Sequence, residues 1–295
     1  MSITHTDEFE RHRPRLFGLA YRMLGSAAEA EDAVQDAYLR YSGADPAVIE
    51  RPAAWLAKVV TNLCLNRLTS ARARRETYVG TWLPEPVITA DGTLGPLESA
   101  ERRDAVSTAM LVLLERLTPT ERAVYVLREA FAYGHREIAE TLDLTEANCR
   151  QLYRRAAARL GEPRTRFPSA PERHAELVAS FLSAARDGDL AGLEKLLAED
   201  VVWWSDGGGR VSAALRPIEG RDKVLRFLSG VTRRFPANAE LAAVEINGAP
   251  ALVARAGDTV VAVTSFDIRD DRVTDVRTVM NPDKLEFVRR QLTRP

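Results

Sequence analysis

The segment that most constrains this chain is His135–Ala158, HREIAETLDLTEANCRQLYRRAAA, which reads as two short helices about a tight turn. Ile138, Ala139 and Leu142 fall at i, i+1 and i+4, giving one buried face to a first helix from about His135 to Leu142. Asp143, Leu144 and Thr145 make the turn, and the Thr145 hydroxyl can accept a backbone N–H left unpaired at the start of the next helix. That second helix, Glu146 to Leu160, carries Arg150, Arg154, Arg155 and Arg159 against a single acid, Glu146. Arg150, Gln151 and Arg154 lie on neighbouring turns and can share one exposed face. Forked guanidinium donors and amide groups are the chemistry that tells guanine and adenine apart in a major groove, so this helix-turn-helix points to duplex DNA. The alternative for such a charge run is an ordinary solvated face.

A length of 295 residues suggests about two domains, and 45% hydrophobic residues are enough for a sizeable core. No apolar run approaches the ~20 residues of a membrane span, and the N-terminal MSITHTDEFERHRPR has no signal-peptide apolar block. A cytoplasmic location and no membrane partner are the expectation. Cys64 and Cys149 stand alone, with no paired-cysteine or paired-histidine spacing, which argues against a metal site and a disulfide framework. The formal net charge of −1 conceals a segregation. Lys58, Arg67, Arg72, Arg74 and Arg75 occur without an acid between them, whereas Glu29, Glu31, Asp32 and Asp36 cluster upstream. Two faces of opposite sign imply two partners: the cationic one suits phosphates, and the anionic one, which DNA would repel, suits a protein.

Four segments follow along the chain. Residues 1–75 are helical in pattern: an amphipathic stretch through Phe9, Leu16, Phe17, Leu19, Tyr21 and Leu24 stops at Gly25. A second repeats Ala30, Ala33, Val34, Ala37, Tyr38 and Tyr41, and leaves Glu29, Asp32 and Asp36 on another face. After a break from Ser42 to Pro52 comes a long helix, about Ala53 to Arg74, expected to bury Trp55, Val59, Leu63 and Leu65 to Leu68. Residues 76–101 contain Pro84, Pro86, Gly92, Gly95 and Pro96 and read as a linker, in which Trp82 is expected to dock rather than float. Residues 102–165 open with Val106, Ala109, Met110, Leu113, Leu114 and Leu117 at helical spacing, followed by a helix from about Thr120 and then the helix-turn-helix. Residues 172–295 change character: helices near Glu172–Asp187 and Leu190–Leu197 lead into strands at Val201–Ser205, Val211–Leu215, Glu240–Ile246, Ala251–Ala256, Thr259–Ile268 and Val273–Met280. One helix, Arg221–Thr232, interrupts them, so this is an α+β domain with a curved, mainly antiparallel sheet.

The stretches AEDAVQDAYLRY, RPAAWLAKVVTNLCLNRL, LTPTERAVYVLREAF and REIAETLDLTEANCRQLYRRA, in this order and spacing, resemble an extracytoplasmic-function RNA polymerase sigma factor over about residues 7–165. Beyond them the chain resembles a SnoaL-like domain of the nuclear transport factor superfamily. WLPEP at Trp82–Pro86, DGGGR at Asp206–Arg210 and NPDKL at Asn281–Leu285 are similar to the SigJ-type subgroup that carries this extension. The resemblance implies a multidomain fold: two all-α sigma domains, the region 2 bundle and the region 4 helix-turn-helix, plus a cone-shaped α+β domain. It also implies core RNA polymerase and promoter DNA as partners. Asp32, Gln35 and Asp36 match the helix presented to the clamp helices of the largest polymerase subunit, and the flap of the second subunit is the partner implied for the helix-turn-helix domain. Glu50–Trp55 and the helix after it match the region that captures the unpaired minus-ten strand, with Arg51, Lys58, Asn62, Arg67 and Arg72 as candidates; Trp55 reads as core rather than as a stacking platform. Arg150, Gln151, Arg154 and Arg155 match the helix that reads the minus-thirty-five element.

An enzyme reading has little to rest on. The superfamily includes ketosteroid isomerase-like catalysts, which need a positioned base and an oxyanion donor. After His174 the chain has no histidine, cysteine or tyrosine; Asp206, Asp267 and Asp275 could be bases, but no donor pair is evident. No catalytic residue, metal or cofactor is expected, and the C-terminal pocket leaves room for a small apolar ligand. The remaining candidates form an interdomain regulatory set: Trp82 and Pro84 of the linker, Asp206, Gly208 and Arg210 of DGGGR, and Asn281, Asp283 and Lys284 of NPDKL. These three motifs are expected to meet where the extension joins the sigma core. Two other classes stay open, a one-component repressor that binds DNA without polymerase and a ligand-responsive, enzyme-like domain with a DNA-binding appendage.

Overall fold

A computed structural model describes residues 5–45, 48–90, 92–94, 106–161, 171–232 and 239–293, the side chains of residues 5, 70–76, 171 and 232 excepted. The chain divides into two units, residues 1–76 with 89–164 and residues 77–88 with 165–295.

The first unit is helical. Helix α1 (His5–Leu24) ends at Gly25, whose φ of +65° reverses the chain, and Ser26 then caps α2 (Ala27–Ser42) by accepting the Glu29 N–H at 3.2 Å. Ala30, Ala33 and Ala37 are fully buried, and their small size lets α2 lie close to α1. The third helix, α3 (Pro52–Glu76), starts with proline in its first turn, where a missing N–H costs nothing. Its inward stripe is Leu56, Val60, Leu63, Cys64 and Leu68, one residue out of register with the stripe expected from Trp55 and Val59. Trp55 is consequently only half-buried, its ring 5.9 Å from that of Tyr41.

Helix α4 (Thr108–Leu114) is shorter than its apolar pattern, because the chain turns through Leu117 and Thr118 starts α5 (Pro119–Glu129). A reciprocal capping box fixes that start: Glu121 accepts the Thr118 N–H at 3.0 Å and the Thr118 hydroxyl accepts the Glu121 N–H at 3.4 Å. Helices α6 (His135–Leu142) and α7 (Glu146–Leu160) form the helix-turn-helix where the sequence placed it. Asp143 turns the chain in the left-handed region, φ +54°, and Ile138, Cys149 and Ala156 are buried beneath. Burial raises the Cys64 and Cys149 thiols above their ordinary range, as suits inert packed side chains.

In the second unit, α8 (Pro171–Asp187) and α9 (Leu190–Leu196) lead into a six-stranded sheet: β1 (Leu197–Asp206), β2 (Ile218–Glu219), β3 (Ala239–Ile246), β4 (Ala249–Ala256), β5 (Thr259–Arg269) and β6 (Arg272–Val279). The strand order is β2-β1-β6-β5-β4-β3, antiparallel except where β1 runs parallel to β6 with Trp203 opposite Val276. Helix α10 (Arg221–Thr232) lies between β2 and β3, and α11 (Pro282–Leu292) follows β6. Val178, Phe181, Leu193, Trp203, Val224, Leu252, Phe266 and Val276 make one core between helices and sheet. The segment Val211–Leu215, expected as a strand, is irregular and pairs with no strand among the described residues: Leu215 is 63% and Val211 39% exposed, while Ala213 and Ala214 are half-buried.

Candidate functional site

Three sites can be assembled from the residues upward. On α2, Asp32, Gln35, Asp36 and Leu39 are spaced i, i+3, i+4 and i+7 and so share one face. Asp32 and Gln35 are exposed, and Leu39 is 61% exposed, an apolar group in an otherwise anionic surface that the charge pattern alone did not single out. Arg67 of α3 lies against this face, donating to the Asp36 carboxylate at 2.6 Å and the Glu29 carbonyl at 3.0 Å, with Asp32 3.7 Å away. Its charge therefore serves α2.

The remaining α3 candidates are dispersed. Arg51 is exposed and Asn62 half-buried, while the Arg72 side chain lies outside the described residues. Lys58 reaches the helix-turn-helix, donating to Asp143 at 2.6 Å and the Glu140 carbonyl at 3.1 Å.

Along α7 the arginines separate into two groups. Arg155 and Arg159 both grip Glu121, at 2.8 and 2.5 Å, a carboxylate with no exposed surface. Burial alone would raise Glu121, but the Thr118 N–H and hydroxyl and these two guanidinium groups outweigh it and hold the acid below its ordinary range. Arg155 and Arg159 thus tie α7 to α5. Arg150, Gln151 and Arg154 are exposed with Arg150 steadied by Glu146 one turn back, and Asn148 is exposed one turn before Gln151; Arg155 and Arg159 are about half exposed too and differ in being paired with Glu121. Asn148 adds a second amide beside Gln151 that the arginine pattern had hidden.

The third site lies within the second unit and gathers all three short motifs. Asp206, at the end of β1, is fully buried. Its carboxylate accepts from the Tyr78 hydroxyl at 2.5 Å, the Leu83 N–H at 2.8 Å and the Lys284 ammonium at 2.7 Å. Lys284 also donates to the Leu83 carbonyl at 2.6 Å, and its nitrogen lies 4.5 Å from the ring centres of both Tyr78 and Trp82. Burial, then the bond to Asp206, raise the Tyr78 phenol well above its ordinary range, so it is a neutral donor. Asn281 donates to the Tyr78 oxygen at 2.9 Å and caps α11 by accepting the Asp283 N–H at 3.1 Å. Gly208, at φ +57°, is required here twice over: a Cβ would meet the Asn281 side chain and the Tyr78 oxygen. Arg210 pairs with Asp283 at 3.3 Å across the exposed rim, and Pro84 is buried within. Further along, Asn247 exchanges two bonds with Val87 (2.9 and 3.1 Å), and the Gln291 amide exchanges two with Ile88 at 2.9 Å each. Residues 77–88 are therefore clamped to the C-terminal domain, and Tyr78, Asn247 and Gln291 are members of the clamp that motif reading missed.

The acids weighed as bases are committed elsewhere. Asp206 is saturated by the clamp, and Asp267 and Asp275 face each other across β5 and β6 with Arg277 3.0 and 3.5 Å from them. Among the described residues no group of three or more potential metal ligands occurs, and no helix is long and apolar enough to cross a membrane.

Three family models match in succession: Sigma-70 region 2 over residues 9–74, Sigma-70 region 4 over 107–160, and the SnoaL-like domain over 178–282. The chain is 37% identical to the ECF RNA polymerase sigma factor SigJ of Mycobacterium tuberculosis, in an alignment covering 94% of this chain and 92% of that one. It belongs to the extracytoplasmic-function (ECF) sigma factors. Similarity extends to the probable ECF sigma factor SigI of the same species, 32% identical over 95% of this chain and 94% of its relative. The crystal structure of SigJ matches with a TM-score of 0.76 and 35% identity, covering 96% of this chain and 98% of that one. This sigma factor accordingly promotes promoter-specific transcription initiation, binds core RNA polymerase and promoter DNA, and is not an enzyme.

Proposed function

We propose that the sigma factor works in the cytoplasm through three separable surfaces. The α2 face of Asp32, Gln35, Asp36 and Leu39 docks on the clamp helices of the largest polymerase subunit, with Arg67 bracing its acids, while the helix-turn-helix domain meets the flap of the second subunit. Arg51, Lys58, Asn62 and Arg72 hold the unpaired minus-ten strand, where flipping a base costs a few kcal/mol that backbone contacts must offset. The α7 face of Asn148, Arg150, Gln151 and Arg154 reads the minus-thirty-five element. Arg155 is a strut between α7 and α5.

The observation that carries this reading is the division of the α7 arginines by partner: Arg155 and Arg159, though exposed, are tied to buried Glu121, whereas Arg150 and Arg154 are exposed beside Gln151 without a bond to α5. A base-reading set needs such a clear face. Gel shift and run-off transcription with Arg154→Ala and Arg155→Ala test it: the first abolishes discrimination among minus-thirty-five sequences and the second preserves it. Equal loss of discrimination in both refutes the division.

The clamp of residues 77–88 gives the C-terminal domain its regulatory role: by seizing the chain between the two sigma domains, it modulates how they are presented. A small apolar ligand for that domain would have to part rings packed in its core, Phe181 and Phe266 with ring centres 4.9 Å apart and Trp203 and Phe227 with ring centres 5.5 Å apart. Charge reversal at Asp206 or Lys284 changes run-off yield in this reading, and unchanged yield refutes it.

A further inference from the structure

Cationic side chains gather in one part of the C-terminal unit. Residues 207–238, which join β1 to β3 and include β2 and α10, carry seven arginines and lysines against two acids, Glu219 and Asp222, in a chain whose formal net charge is −1. Most cations of this unit are spent within it: Arg173 pairs with Glu176 and Asp271, Arg255 with Asp258, Arg277 with Asp267 and Arg289 with Glu286. Arg216, just before β2, and Lys223 and Arg226 of α10 are exposed, and their side chains have no ion pair or hydrogen bond among the described residues. In the sequence the run continues with Arg233 and Arg234, which lie outside the described residues.

The two faces of α10 differ in kind. Val224 and Leu228 are buried in the core with Leu225 and Phe227 packed against it, whereas Asp222, Lys223 and Arg226 are exposed. Lys223, Arg226 and Gly230 follow at i, i+3 and i+7 and so share the outward face. Packing does not require Gly230: no atom stands within 4 Å of where its Cβ would be, and glycine weakens a helix through its backbone freedom. What a bare position offers is close approach of another surface to the helix.

The composition of that face selects its occupant. A membrane-surface helix sinks an apolar face among lipid chains, but the apolar face of α10 is already in the core. A protein interface is centred on aromatic or aliphatic anchors, and the outward face presents none. Long cations flanking a bare position suit a polyanion, whose phosphates need no pocket and whose counterions are released on contact. Promoter DNA is the polyanion this chain binds. One acid, Asp222, lowers the net charge of the face but is bonded to neither cation.

We propose that α10 is a further DNA-contacting surface: Lys223 and Arg226, with Arg216, hold the phosphate backbone of the promoter duplex and read no base. The SnoaL-like domain thereby contributes affinity of its own, independent of sequence and steeply weakened by salt. This contact does not depend on which residues read the two promoter elements.

The test uses the full chain assembled with core polymerase and titrates a labelled promoter duplex at several salt concentrations. In the triple variant Arg216→Gln, Lys223→Gln, Arg226→Gln, three lost phosphate contacts flatten the slope of log binding constant against log salt by about 2.7, so that from roughly 50 to 200 mM salt the parent loses about fortyfold more affinity than the variant. Arg226→Gln alone gives about a third of that change in slope. The preference for an intact over a scrambled minus-thirty-five element stays the same, as does the thermal midpoint. A flattening by the triple variant of less than about 0.9, the worth of one contact, overturns the proposal. So does a flattening as large per charge from Lys195→Gln, which removes an exposed, unpaired cation of α9 in the same domain. Weaker binding of the triple variant to core polymerase without DNA assigns the face to a protein partner and overturns the proposal too. Gly230→Gln, uncharged and better suited to a helix, weakens promoter binding at least about threefold by holding the duplex off, and unchanged binding refutes the close approach.

Discussion

Asp206→Ala should release the clamp, and the structure allows its cost to be worked out. The substitution removes the carboxylate partner of the Lys284 ammonium, whose side chain is 9% exposed, and the acceptor of Tyr78 and of the Leu83 N–H. Removing one partner of a buried pair costs about 3–5 kcal/mol. Lys284→Met costs less, because Asp206 keeps two neutral donors. The double variant leaves no unpaired charge, so its loss falls short of the sum of the single losses by at least about 2 kcal/mol. Hydrogen exchange over residues 77–88 reads this locally, since the Leu83 and Val87 amides are held by Asp206 and Asn247. With each 1.4 kcal/mol worth a factor of ten, Asp206→Ala should speed exchange there by roughly a hundredfold or more, and the double variant by distinctly less than the product of the two single effects. Additive effects, or exchange unchanged by Asp206→Ala, would refute the clamp as a charge-coupled unit.

Other perturbations separate the surfaces. Leu39→Asp should leave the thermal midpoint of the helical unit nearly unchanged, within about 0.5 kcal/mol for an exposed site, yet weaken core-polymerase binding in a fluorescence titration. Arg154→Ala should weaken promoter binding by about 1–3 kcal/mol in a gel shift, whereas Arg155→Ala should mainly lower stability by loosening Glu121. Burial holds His174 below the ordinary histidine range, partly opposed by Asp267 and the Pro250 carbonyl. The unfolded chain therefore takes up the proton first on acidification: the stability of the C-terminal unit is full above pH ~6.5 and declines below it. His174→Leu should flatten that decline in denaturation followed by the fluorescence of Trp203 and Trp204; His135 is lowered in the same direction but lies in the other unit.

What the sequence made legible is what local chemistry decides. The helix-turn-helix ends fell where Thr145 caps and Asp143 turns, and the long α3 and the strands β3 to β6 followed from periodicity. The register of α3 was one residue off, because Trp55 and Val59 mimic an inward stripe that Leu56 and Val60 occupy. Val211–Leu215 has strand-like composition, but Gly207–Gly209 bend the chain away from the sheet. Ion pairs between distant residues were hidden: nothing near Arg155 reveals Glu121, nothing near Arg67 reveals Asp36, and Tyr78 meets Asp206 from 128 residues away. The three short motifs pointed to one place, whereas the segment carrying the first of them is held by the C-terminal domain as part of its own unit.

Reconstituted run-off transcription is the most direct measurement, with core polymerase, this chain and a set of templates in which the minus-ten and minus-thirty-five elements are scrambled singly. Transcript should appear from a discrete start only when the chain is present, and scrambling either element should abolish it. Initiation indifferent to both elements, or a chain that never associates with the polymerase, would contradict the assignment of α2, α3 and α7 to their partners.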